Sequence, residues 1–68
     1  MEKYYVNNNA QSNGDHEVHR ASCQYVPLIQ SKTDLGYHDN CYTAVAQAKK
    51  THSRANGCKT CSPACHTS

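Results

Sequence analysis

Two cysteines in the spacing Cys58-Lys59-Thr60-Cys61 can turn inward from one tight loop and hold a metal ion between their sulfurs. A structural zinc ion takes four donors in a tetrahedron, drawn mainly from Cys and His. A second pair stands upstream in His19-Arg20-Ala21-Ser22-Cys23, an H-x3-C. His19, Cys23, Cys58 and Cys61 are therefore the candidate ligands of a Zn²⁺ ion. One pair near a strand end and one in the tail would close residues 24–57 into a large loop, in the folded state only. Metal affinity then becomes folding energy. A set in which protein fills all four positions leaves none for water, which points to a structural, non-catalytic site rather than an enzyme.

Each residue also has a plainer reading. His19 alone is an exposed or hydrogen-bonded histidine, and Cys23 alone is a buried apolar residue. The same four side chains can also pack without an ion. Cys41 falls on the apolar face of a helix and reads as core. Cys65 and His66 are adjacent, and neighbouring side chains rarely converge on one tetrahedral ion, so at most one of them would replace a ligand. The run C-x2-C-x3-C does not have the spacing of the familiar iron–sulfur motifs. A redox C-x2-C belongs at a helix start in a βαβ setting, whereas this pair follows a helix. For Cys61 or Cys65 as a reactive thiol, the sequence offers no base and no oxyanion donor that can be placed.

The rest of the chain explains why a staple is needed. Sixty-eight residues make one small domain, 1–68, with 62–68 read as a tail free to move. The branched aliphatics are Val6, Val18, Val26, Leu28, Ile29, Leu35 and Val45. Phe and Trp are absent, and five tyrosines supply the bulk. A core in a chain under roughly 70–80 residues gives only about 3–5 kcal/mol, and such scaffolds add disulfides or a metal. The net charge of +2 is too weak to imply nucleic acid by itself. Arg20, Lys49, Lys50, Arg54 and Lys59, with tyrosines for stacking, still make a nucleic-acid-binding module the second reading, against a solvated helix end and loop. No apolar run approaches the ~20 residues of a membrane helix, and MEKYYVNNN lacks the apolar stretch of a signal peptide. The expectation is a cytoplasmic, reducing setting, where an odd cysteine count fits poorly with a closed disulfide framework.

The elements that would position the ligands follow from pattern. Tyr4–Asn9 and His16–His19 read as an antiparallel hairpin around Asn13-Gly14, because both turn residues accept positive φ. Pro27 bars Gln24–Ile29 from the middle of a sheet. Gln30–Asp34 reads as an exposed loop, and Leu35-Gly36-Tyr37 as a short third strand that extends at most to Thr33. Cys41, Ala44, Val45 and Ala48 then recur at helical spacing, capped by Asp39 or Asn40, which predicts a helix over residues 40–52. Gly57 precedes the cysteines, where a tight turn asks for backbone angles that other residues resist. The predicted fold is α+β: a small antiparallel sheet of two or three strands and one helix, stapled by zinc.

A hairpin, then H-x3-C, a helix and a Gly-preceded C-x2-C resemble the small zinc module at the N-terminus of the Ada DNA-repair proteins. Related modules trail some bacterial thermonuclease-like proteins, with H-R-x-x-C in the first position. The matching segments are His19-Arg20-Ala21-Ser22-Cys23 and Gly57-Cys58-Lys59-Thr60-Cys61-Ser62-Pro63, within residues 4–63. The chain as a whole is also similar to short bacterial proteins ending in Cys-His-Thr-Ser. The resemblance implies the fold and the zinc site. In the Ada module a cysteine stands where His19 stands here and accepts a methyl group from DNA, so the resemblance argues against methyl transfer by this chain.

Overall fold

A computed structural model describes residues 1–67. Four strands, β1 (Glu2–Asn7), β2 (His16–Arg20), β3 (Lys32–His38) and β4 (Ala55–Gly57), join one helix, α1 (Cys41–Ala48). Short 3-10 turns at Val26–Leu28 and Pro63–Cys65 complete the described chain. The sheet order is β3-β1-β2-β4. β1 runs antiparallel to both β2 and β3, whereas β4 lies parallel to β2. The architecture is α+β as expected, but the sheet is mixed and four-stranded.

Alternation along β1 sorts side chains to two faces. Tyr4 and Val6 are buried with Val18, Leu35 and the helix residues Cys41, Ala44 and Ala48. Tyr5 points the other way and packs against a second cluster of Cys23, Val26, Cys58 and Cys61. Tyr5 lies opposite His19 across the β1–β2 ladder, and Val6 lies opposite Val18. One face of the sheet is therefore covered by α1, and the other by the segments that carry Cys23, Cys58 and Cys61.

Several boundaries move from their predicted places, each for a local reason. The connection over residues 8–15 is not a two-residue hairpin turn. Gly14 N–H donates to Gln11 O at 2.8 Å, and Asn13 Oδ1 accepts from Asp15 N–H at 2.9 Å. Gly14 has φ +91°, while Asn13 stays at negative φ. The third strand is longer than expected because Lys32, Thr33 and Asp34 pair with Asn7, Val6 and Tyr5. Their polar side chains suit an edge strand with one open side. The helix is shorter than 40–52. Asn40 caps it, its side chain accepting from Thr43 N–H at 3.2 Å. At the far end Ala48 O accepts from both Thr51 and His52 N–H, at 3.0 and 2.8 Å. The segment Lys49-Lys50-Thr51-His52 brings no apolar side chain to extend the buried stripe. The strand missed altogether is β4: Ala, Asn and Gly are poor strand formers, and partnership with β2 places them.

Candidate metal centre

β2 ends the positioning of His19 and begins that of Cys23. His19 is held in the ladder opposite Tyr5, only 2% exposed. The chain then turns, with Cys23 N–H donating to Arg20 O at 2.9 Å and Val26 N–H to Cys23 O at 3.1 Å. This packs Cys23 against Val26, the first residue of the short 3-10 turn. On the other side β4 delivers Cys58 beside β2, its N–H donating to Val18 O at 2.9 Å. Ser62 N–H reaches back to Cys58 O at 2.8 Å and closes the loop that carries Cys61.

The four donor atoms of His19, Cys23, Cys58 and Cys61 lie within 4.8 Å of one another, and all four residues are buried. His19 Nδ1 is 3.5 Å from Cys23 Sγ and 3.9 Å from Cys61 Sγ. Bond lengths of ~2.0–2.1 Å to nitrogen and ~2.3 Å to sulfur imply tetrahedron edges of about 3.6–3.8 Å. The cluster is thus within about 1 Å of the size a tetrahedral ion requires, and the four residues lie close enough to bind one. Donors scattered beyond about 8 Å, which coordination bonds of this length could not have bridged, would have ruled the set out.

The surroundings of the sulfurs suit thiolates. Backbone N–H groups of Cys61 and Thr60 bond to Cys58, and Arg20 N–H donates to Cys61 Sγ at 3.3 Å. Burial still dominates in the metal-free chain and pushes the Cys58 and Cys61 thiols upward, against these donors. Burial also lowers His19, with the nearby Glu17 carboxylate opposing it. The imidazole is therefore held neutral, which is its ligating form, while the thiols keep their protons until an ion displaces them.

The remaining cysteines do something else. Cys41 is in the helix-side core, as its helical position suggests, and it forms a disulfide with Cys65 across a Cα–Cα distance of 6.2 Å. Cys65 is therefore no replacement ligand. His66 is not one either: its Nδ1 lies 3.1 Å from Gly57 O. Five cysteines divide into a bonded pair and three free, buried thiols. The pair escapes the sequence because an odd count argues only against bonding all five cysteines, and still leaves two to pair and three free. Gly57 also serves a purpose other than the predicted one, for its φ is not positive. A Cβ there would stand 2.6 Å from Cys65 Cβ and 2.9 Å from Ser62 O. Its lack of a side chain lets the tail pack onto β4.

Fold and site together define a small α+β domain with a buried His/Cys cluster of metal-binding dimensions. Comparisons with family models, with curated proteins and with solved structures find no match to the chain.

Proposed function

We propose that this chain is a non-catalytic, structural zinc-binding domain in which His19, Cys23, Cys58 and Cys61 hold the ion. The observation that carries this reading is the convergence of four buried donors within 4.8 Å, from segments 42 residues apart at their extremes. Three sulfurs and an imidazole are a donor set for zinc rather than for magnesium or calcium, which take oxygen. Bound there, zinc would act as a cross-link between β2 and the β4–tail segment. Apparent binding energies of roughly 10–16 kcal/mol for structural zinc peptides exceed what a core of this size provides. Four protein donors leave no coordination position for water, which supports a non-enzymatic role. The likeness to the Ada zinc module is part of the same proposal, with His19 in place of the methyl-accepting cysteine.

No described helix is long and apolar enough to cross a membrane. A cytoplasmic setting is compatible with the proposal, and Cys41 and Cys65 would be thiols there unless protected from reductant. Nucleic-acid binding gains no particular support from the geometry. Arg54 pairs with Asp15 at 3.2 Å and Arg20 with Glu2 at 3.8 Å, so two of the basic groups that motivated it face carboxylates. The deciding measurement is native mass spectrometry of the full chain, purified without chelator or acid, before and after chelation. One zinc per chain is expected. A folded chain that carries none and takes none up on titration would overturn the proposal.

A further inference from the structure

We infer that Glu17 is the positioning residue of this centre: its carboxylate holds the proton of His19 on Nε2 and so dedicates Nδ1 to the metal. The inference rests on the proposed zinc site and specifies how its only nitrogen donor is set. The two ring nitrogens of His19 face different partners. Nδ1 is turned to the sulfurs, 3.5 Å from Cys23 and 3.9 Å from Cys61. Nε2 is turned away from them and lies 3.6 Å from Glu17 Oε1. Glu17 and His19 are two apart on β2, so strand alternation puts both side chains on the same face.

A ligating histidine almost always donates its other N–H to a carboxylate, carbonyl or water, which fixes the tautomer and raises the basicity of the ligating nitrogen. At 3.6 Å the contact is longer than a full hydrogen bond. The Glu17 side chain is 26% exposed, and the inference requires it to move a few tenths of an ångström toward the ring. The sheet fixes the position of Glu17, which pairs with Asn56 across the β2–β4 ladder.

The test uses the full chain, zinc alone and two variants. Long-range ¹H–¹⁵N spectra of the zinc-loaded wild type should show His19 protonated on Nε2. Competition against a chromophoric chelator should show Glu17→Ala binding zinc about 10–100-fold more weakly. Glu17→Gln, which keeps an acceptor oxygen without the charge, should recover part of that loss. A proton on Nδ1, or a Glu17→Ala affinity within a few-fold of wild type, overturns the role of Glu17 while leaving the zinc site standing. A wild-type chain that takes up no zinc overturns both. The tautomer is read on the wild type, so the inference stays testable even where a variant folds poorly.

Discussion

At the level of single residues, the buried sulfurs decide what the protein can be. Cys58 and Cys61 have thiols raised by burial even though backbone N–H groups point at them, so without metal they are protonated and sluggish nucleophiles. In the proposed site their part is that of ligands. Cys58→Ser replaces a soft donor by a hydroxyl and should abolish stoichiometric zinc binding, with several kcal/mol of apparent stability lost in zinc-containing buffer. Mass spectrometry and thermal melts of the same sample measure both. Cys41→Ser removes the disulfide instead and should leave one zinc per chain. The signs of the shifts also give the chelated chain a pH window. His19, lowered from 6.5, contributes stability that is present above 6.5 and lost as pH falls through its folded value. Cys58 and Cys61, raised from 9.0, contribute stability that is present below 9.0 and lost as pH rises through theirs. Urea midpoints of the chelated, still-folded chain should therefore be highest between those limits. The zinc-loaded chain should instead hold its midpoint into alkaline pH and lose metal on acidification, because protons compete for three sulfurs and a ring nitrogen.

At the level of elements, the supports matter as much as the ligands. β4 is three residues long, yet it sets Cys58 beside β2 and brings Cys65 over Gly57. Gly57→Ala would place a methyl 2.8 Å from the Cys65 carbonyl carbon and 2.9 Å from Ser62 O. These are backbone atoms that cannot swing aside, so a loss of about 1–3 kcal/mol is expected, read as a lower urea midpoint with zinc stoichiometry near one. Asn40→Ala removes only the cap on Thr43 N–H and should cost about 1 kcal/mol, with zinc affinity unchanged. The same elements show what a sequence discloses. The hairpin, the third strand and the helix were legible because Tyr4, Val6, Val18, Leu35, Ala44 and Ala48 carry periodic burial. The four-residue His/Cys cluster was legible because H-x3-C and C-x2-C are short-range spacings. β4 was not, because Ala-Asn-Gly has no strand preference of its own and pairs only once the tail is anchored. Nor was the Cys41–Cys65 bond, since pairing over 24 residues depends on where α1 and the tail meet in space.

For the molecule as a whole, the central fact is a sheet buried on both sides by different means. One side has a conventional apolar layer of Tyr4, Val6, Val18, Leu35 and the small residues of α1. The other has Tyr5 and Val26 around the thiols, too little oil to hold a sheet face closed. On the proposal above a bound ion would compensate on that side, while the disulfide ties the helix side, and the two spans overlap along the chain. The disulfide joins residues 41 and 65, and the cluster joins the segment of residues 19–23 to that of residues 58–61. By the loop-entropy account, a bond across 24 residues is worth about 3.5 kcal/mol, well below the roughly 10–16 kcal/mol of structural zinc sites in peptides. Reducing the protein with a phosphine that does not bind zinc should therefore lower the melting temperature while leaving it folded. Chelating the oxidised protein should lower it further and first loosen the amides of Arg20, Thr60, Cys61 and Ser62, which donate to Cys58 or Cys61. Doing both should leave no cooperative melt. Hydrogen exchange and circular dichroism over the four combinations separate the contributions. If the reduced, chelated chain still melts cooperatively near the temperature of the intact one, the sheet's second face needs no ion, and the apolar layer alone must carry the fold.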